Sequence, residues 1–420
     1  MGTLKRLIES LLPRRVYRAL LAPYHLAWTA LIALKYGFPA NKLTVIGVTG
    51  TKGKSSVSEM LVAILEEAGH SVALSSTIHF KVGDETRPNL YKMTLPGRGF
   101  IQKLLGEAVE KGCTHAVIEI TSEAALQYRH LLLSMDALVF TNLEREHIES
   151  HGGMEQYVAA KLRIGKAMER SPKRPRAIIA NTDNRYADRF LALSVEEKIS
   201  FSLADAQDIE RAYDHVAFTY DDVRFSLPHP GDFSIRNALA SVKASRFLGV
   251  PIEKASAALA KLAVIPGRAE RIEAGQDFVA VVDYAHTPDS LKALYEAYQN
   301  KRKICVLGNT GGGRDTWKRP EMGRIAEEYC DEVILTNEDP YDEDPDAIVR
   351  MMAKGMKQKT PTIIMDRREA IAHALSSART GDVVLVTGKG TDPYLMEANG
   401  VKTPWSDAGV VREELEKIVR

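Results

Sequence analysis

The chain has 420 residues, enough for about two or three domains with cores of their own. Its 45% hydrophobic and 26% charged residues are those of a globular protein, and a net charge of +1 argues against a globally basic nucleic-acid binder. Cys113, Cys305 and Cys330 are its three cysteines. They stand far apart, with neither zinc spacing nor a disulfide framework, and read as core thiols of a reducing compartment.

Residues 1–42 form a distinct start, with seven Lys or Arg against the single acid Glu9. The apolar stretch Ala19 to Leu34 is 16 residues long and contains Pro23 and His25, short of the ~20 needed to span a bilayer. No A-x-A site follows it, which counts against a signal peptide. Leu4, Leu7, Ile8 and Leu11 share one helical face, with Lys5, Arg6, Arg14 and Arg15 around it. We expect a helical arm packed on its own protein; the alternative is a basic amphipathic helix on an anionic membrane surface.

The stretch "VIGVTGTKGKSSVSEML" at 45–61 is an apolar run, a glycine turn, Lys54-Ser55, then a helical pattern. That order is strand, loop, helix, as in a P-loop. Backbone N–H groups at Gly50 to Lys54 can cradle phosphate oxygens, Lys54 adds a point charge, and the Ser55 hydroxyl can hold Mg²⁺. Val48 stands where the strict GxxxxGK[ST] form has Gly, so the loop is a variant. A glycine turn with no ligand is the competing reading, and Lys-Ser after Gly in this context weighs against it.

From Leu43 to about residue 262 strands and helices alternate. The pattern predicts strands at 43–48, 71–78, 115–120, 136–141 and 176–181 and helices at 54–69, 97–111 and 154–169. A mostly parallel sheet covered on both faces follows. Short runs at 197–226 suggest antiparallel edge strands, and 234–249 reads as a helix. After Pro266-Gly267 a second α/β block opens, with strands at 279–283, 303–307, 332–336, 361–365 and 382–387 and helices near 289–299, 320–330, 345–356 and 368–379. The expected division is an arm at 1–42, a P-loop domain at 43–265 and a Rossmann-like α/β domain at 266–420.

Glu119 closes the strand "THAVIEI", where its carboxylate could complete a Mg²⁺ site with Ser55. His147 follows another strand in "FTNLEREH", and Lys161 lies one helix further, in "MEQYVAAK". Singly each reads as a solvated or capping residue; their joint spacing after "TNL" points to the site instead.

At this point the residues resemble the Mur ligase family, ATP-dependent amide-bond formers of cell-wall synthesis, over about 43–420. "GVTGTKGKSS", "IEITSEAALQYR", "FTNLEREHIESHGGMEQYVAAK", "GDFSIRNALAS", "PGRAERI", "VDYAHTPDSLKAL", "GGGRDTWKRPEMG" and "GKGTD" carry the resemblance in order. "DYAHTPDS" with "GGGRDTWKRP" looks most like the MurE type, which adds the third amino acid of the stem peptide. The resemblance implies a cytoplasmic enzyme, expected to be a monomer, that phosphorylates a carboxylate with ATP and lets an amine displace the acyl phosphate. Gly50, Thr51, Lys52, Gly53, Lys54, Ser55 and Ser56 would hold ATP, together with Asn237 at adenine and Arg268, Asp283 and His286 at phosphate and ribose. Two Mg²⁺ sites are implied, one on Ser55 and Glu119 and one on His147 and Lys161. An ammonium has no lone pair for a metal, so Lys161 would have to be carbamylated, an N6-carboxylysine.

By the same resemblance Thr94, Ser122 and Arg129 would touch a muramoyl-peptide acceptor, and Arg314, Asp339, Tyr341, Gly388 and Asp392 the incoming amino acid. Departures from the family pattern bear on both substrates. Only 42 residues precede the P-loop block, where the family has a UDP-sugar-binding domain. The expectation is therefore reduced nucleotide-sugar recognition, or a different or lipid-linked acceptor met at a membrane surface. Glu146 replaces an Asp, and Glu123 replaces a His. Members that take meso-diaminopimelate carry D-N-P-R where this chain has Glu338-Asp339-Pro340-Tyr341. With Asp342, Glu343 and Asp344 following, lysine or ornithine is the expected substrate, Asp392 taking the amine. A folylpolyglutamate-synthetase-like ligase is the nearest alternative; a P-loop kinase and a non-catalytic binding protein are others.

Overall fold

A computed structural model describes residues 14–97, 99–146, 148–313 and 315–419. The arm positions Leu4, Leu7, Ile8 and Leu11, and the site candidates His147 and Arg314, lie outside the described residues. The chain divides into two compact units, one of Met1–Glu144, Met154–Ser202 and Leu239–Ala255, the other of Arg145–Gly153, Leu203–Ala238 and Ser256–Arg420.

The first unit is built on an eight-stranded sheet. Its strands are β1 (Thr44–Thr49), β2 (Val72–Ser75), β3 (His79–Val82), β4 (Glu85–Pro88), β5 (His115–Glu119), β6 (Ala137–Phe140), β7 (Ala177–Asn181) and β8 (Glu197–Phe201). They lie in the order β4-β3-β2-β5-β1-β6-β7-β8. All pairs from β2 to β8 are parallel, and β3 and β4 add an antiparallel edge. The parallel strands at the centre are buried on both faces, which is why they read as unbroken apolar runs. Helices α1 (Arg14–Lys35), α2 (Lys54–Glu67), α3 (Phe100–Glu110), α4 (Ser122–Leu126) and α5 (Met154–Glu169) belong to this unit. On α2 the residues Val57, Leu61, Ile64 and Leu65 are fully buried, each stabilising the fold by roughly 2 kcal/mol. Among the described residues no helix is long and apolar enough to cross a membrane.

The second unit holds a three-stranded antiparallel sheet of β9 (Gln207–Arg211), β10 (Val216–Tyr220) and β11 (Val223–Leu227). The run at 197–226 is therefore not a set of antiparallel edge strands. Its first strand, β8, pairs parallel with β7, and the rest form a sheet of their own. The unit's main sheet has six strands, β12 (Glu270–Ile272), β13 (Val279–Asp283), β14 (Lys303–Leu307), β15 (Glu332–Leu335), β16 (Thr362–Ile363) and β17 (Val383–Thr387), ordered β12-β13-β17-β14-β15-β16. Only β12 runs antiparallel to its neighbour. Helix α6 (Asp232–Phe247) precedes this sheet in sequence. Helices α7 (Pro288–Ala297), α8 (Lys318–Tyr329), α9 (Pro345–Ala353), α10 (Arg367–Ser376) and α11 (Asp407–Val419) follow, with the hairpin β18 (Tyr394–Met396) and β19 (Lys402–Pro404). Two apolar clusters fill the two faces of the sheet, one around Tyr295, Leu307 and Leu385, the other around Val306, Ile371 and Val411.

Cys305 and Cys330 are joined by a disulfide, their Cα atoms 6.2 Å apart. This corrects the expectation of separate thiols. The strand β14 and the end of α8 bring together two residues 25 positions apart. Cys113 remains a free, buried thiol.

Candidate active site

In the first unit β1 lies between β5 and β6, so the segments leaving these parallel strands meet at one end of the sheet, where α/β folds hold ligands. The loop after β1 is braced there by the segment after β6. Thr51 N donates to Asn142 O (2.9 Å), Lys52 N to Asn142 Oδ1 (2.9 Å), and Thr141 Oγ1 to Lys52 O (2.6 Å). Gly50 has φ +153°, and a Cβ there would stand 1.9 Å from Thr141 Oγ1. Gly53 caps α2 at φ 80°, putting the first-turn amides of Lys54 to Ser56, which have no intrahelical acceptor, at the loop's mouth. Lys54 Nζ donates to Thr51 O (2.8 Å). Thr51 Oγ1 also meets the Tyr157 hydroxyl (3.0 Å) and accepts from Glu144 N (3.0 Å). The sequence pattern pointed to the loop but not to Thr141, Asn142 and Tyr157 as its braces, though "TNL" was visible.

Glu119 is fully buried at the end of β5, its Cα in register with that of Val48 on β1. Thr77 holds it, donating from N to Oε1 (3.3 Å) and from Oγ1 to Oε2 (3.0 Å). No cationic side chain pairs with it among the described residues. A buried carboxylate in that state is costly, which suits a cation beside Ser55, itself buried at the start of α2. Lys161, also buried, donates to Gly50 O (2.7 Å) from α5. Glu119, Lys161 and Gly50 to Ser56 are thus built into one unit. Among the described residues no group of three or more His, Cys, Asp or Glu is poised to hold a metal.

The acceptor candidates also lie in this unit. Thr94 and Ser122 are buried, and Ser122 opens α4 behind the cap residue Thr121. Thr94 O accepts from Ser75 Oγ (2.6 Å), and Arg129 Nη1 donates to the next carbonyl, Leu95 O (2.8 Å). Burial holds the Arg129 guanidinium below the usual arginine range.

In the second unit Asp283 ends β13, accepting from Ala269 N (2.6 Å) and Ala285 N (2.7 Å). Burial raises its carboxyl above the usual range, against a lowering pull from Arg268. The Arg268 guanidinium lies over the Tyr284 ring at 4.7 Å. His286 Nδ1 faces Tyr284 O (2.7 Å) and Nε2 faces Glu146 Oε1 (2.8 Å). Both ring nitrogens thus meet oxygen atoms of this unit. Asn237 lies on α6 and is nearly buried.

Around the amino-acid candidates the structure redistributes the charge that the sequence suggested. Lys389, fully buried, donates to Asp339 Oδ1 (2.7 Å), Asp392 Oδ2 (3.2 Å) and Tyr394 O (2.7 Å). Asp392, expected to take an incoming amine, therefore faces a lysine of its own chain. The acidic run is engaged as well: Asp342 accepts from Asn399 N (2.7 Å), Glu343 from Arg319 Nη2 (2.8 Å), and Asp344 caps α9. These are the acids on which the expectation of a cationic substrate side chain rested, and each has a partner within the chain. Gly388, at φ +109°, leaves room for the buried Glu338, whose Oε2 would stand 2.1 Å from a Cβ there. Tyr341 is held at φ +52°, with its N–H on Met396 O (3.0 Å).

Comparison with known proteins gives the same assignment for both halves. The Mur ligase middle domain matches residues 48–245, and the Mur ligase, glutamate ligase domain matches 267–390. The UDP-N-acetylmuramoyl-L-alanyl-D-glutamate--2,6-diaminopimelate ligase of Caldanaerobacter subterraneus is 36% identical over 394 residues, 90% of this chain and 80% of that protein. The UDP-N-acetylmuramyl-tripeptide synthetase of Roseiflexus is 35% identical, over 93% of this chain and 82% of its own length. Among solved structures, a UDP-N-acetylmuramoyl-L-alanyl-D-glutamate–2,6-diaminopimelate ligase aligns with a TM-score of 0.61 at 29% identity, covering 90% of this chain and 79% of that one. A folylpolyglutamate synthase of Mycobacterium tuberculosis shares the fold, with a TM-score of 0.70 at 15% identity over 92% of this chain and 94% of its own. The chain belongs to the Mur ligase family of ATP-dependent amino-acid ligases.

Proposed function

We propose that the protein adds the third amino acid of a peptidoglycan stem peptide to the carboxylate of a muramoyl-dipeptide acceptor. A carboxylate is a poor electrophile. Transfer of the γ-phosphoryl of ATP makes it an acyl phosphate, and attack by the amino acid's amine expels phosphate and forms the amide. The observation that carries this reading is the braced loop at 50–56 beside the buried Glu119, with which no cationic side chain pairs among the described residues. The loop amides and Lys54 would hold the β and γ phosphates, Ser55 and Glu119 would hold Mg²⁺, and Arg268, Asp283, His286 and Asn237 would serve the nucleotide. Bound magnesium supplies charge neutralisation on the phosphates. Thr94, Ser122 and Arg129 would position the acceptor, with Asp339, Tyr341, Gly388, Asp392 and Arg314 at the amino acid. We assign these roles to domains at 43–265 and 266–420. Because ATP is consumed, the cytoplasm is the compartment that fits.

The test is release of phosphate from ATP with UDP-muramoyl dipeptide and a panel of amino acids including meso-diaminopimelate, lysine and ornithine. Release must require both the acceptor and an amino acid. Release with the acceptor alone would mean a kinase, and no release with any pair would refute the reading.

For Lys161 we propose carbamylation, which would turn a buried donor into oxygen ligands for a second cation with His147. As the free amine it donates to Gly50 O. Lys161→Ala is expected to lose at least a hundredfold in turnover, and bicarbonate to stimulate the wild type. Full activity of the variant, with no effect of bicarbonate, would remove the proposal.

A further inference from the structure

Helix α1 is turned the wrong way round for a helix that meets only water. The face toward its own unit carries His25, Thr29 and Ala33, at 8%, 2% and 0% exposure, and Ile32 packs where a Cβ on Gly99 would be. The outward face carries Tyr24, Trp28, Leu31 and Leu34, and the last two are 60% and 65% exposed. Their spacing of three and four places them on one stripe. Next to Gly99, Phe100 packs against Tyr91, which is 55% exposed, with ring centroids 5.6 Å apart. Full burial of a leucine is worth roughly 1.5–3 kcal/mol, so a stripe of this kind marks an interaction surface.

Charge selects among possible occupants. The helix sequence contains Arg14, Arg15, Arg18 and Lys35 and no acid, and Lys5 and Arg6 precede it against the single Glu9. A second copy would bring the same cations against these. A bilayer with anionic headgroups accepts both the apolar stripe and the cations, and Trp and Tyr are the residues that settle at its interface. We propose that α1 lies in the plane of an anionic phospholipid surface, with Trp28, Leu31 and Leu34 in the headgroup boundary. This inference is independent of the ligase substrate.

The test uses the full chain and two sets of vesicles, phosphatidylglycerol mixed with phosphatidylcholine and phosphatidylcholine alone. Co-sedimentation should be at least about tenfold stronger on the anionic set and should fall as salt is raised. Leu31→Glu with Leu34→Glu should lower binding at least about tenfold while leaving far-UV dichroism and the thermal midpoint unchanged, because both positions are exposed. Absence of wild-type binding, equal binding to both sets, or full binding by the double variant would overturn the proposal. So would a wild-type dimer, seen by light scattering, that becomes a monomer in the double variant, since a second copy would then cover the stripe.

Discussion

Gly50 is the residue on which the nucleotide loop turns. Its φ of +153° and the 1.9 Å left between a Cβ and Thr141 Oγ1 mean that alanine must push the brace away from the loop. Gly50→Ala is expected to destabilise the first unit by on the order of 2 kcal/mol and to cut ATP turnover at least tenfold, measured by thermal unfolding and phosphate release. Lys389 has the corresponding position in the second unit, neutralising Asp339 and Asp392 from a fully buried site. Removing one partner of such a pair leaves an uncompensated charge, at about 3–5 kcal/mol. Lys389→Met should therefore unfold at much lower denaturant, and adding Asp339→Asn should recover part of the loss. A double-mutant cycle that proved additive would show that the pair is not coupled. The two residues differ in how legible they were. Gly50 belongs to a local pattern of glycine, lysine and serine that the sequence displays directly. Lys389 stands in an equally local "GKGTD" pattern, but its partner Asp339 is 50 positions away, and only the strand order brings them together. The lysine-or-ornithine expectation is open to the amino-acid panel, and its argument was incomplete for that reason. It counted acids along the chain without the cations and backbone amides that the fold sets against them.

The strands that were legible are the buried parallel ones, since a strand covered on both faces is an uninterrupted apolar run. β4 escaped because all four of its residues, Glu85–Pro88, are exposed. β8 has one buried residue in five and pairs parallel all the same, so alternation misled the reading of 197–226. The link between β14 and the end of α8 was hidden by separation too: Cys305 and Cys330 meet because both elements pack in the same cluster. A bridge closing a loop of this length stabilises by roughly 3 kcal/mol through the unfolded chain. Under denaturant, one thiol, Cys113, should react before reduction and all three after it. Reduction, or Cys305→Ser with Cys330→Ser, should lower the unfolding midpoint of the second unit. Three reactive thiols without reductant would show that the bond does not form in solution.

Across the whole molecule, acid should act on both units through histidines buried without charge. His130 in the first unit and His229 in the second are 2% and 5% exposed, and burial pushes each down to about 4. Neither nitrogen of His229 has a hydrogen-bond partner among the described residues. In the unfolded chain a histidine takes up its proton near 6.5. Below that value the unfolded state binds a proton that the folded state refuses, so stability is full above about pH 6.5 and falls as pH drops toward 4. The slope is about 1.4 kcal/mol per pH unit for each histidine. His229→Leu removes the titrating ring from a buried site at similar volume. Its thermal midpoint should exceed the wild type's by more at pH 5 than at pH 8. The second unit's slope should flatten while the first unit, still carrying His130, keeps its own. Parallel pH profiles for wild type and variant would mean that His229 is protonated as readily in the fold as out of it, and the acid response would then have to be sought among the carboxylates.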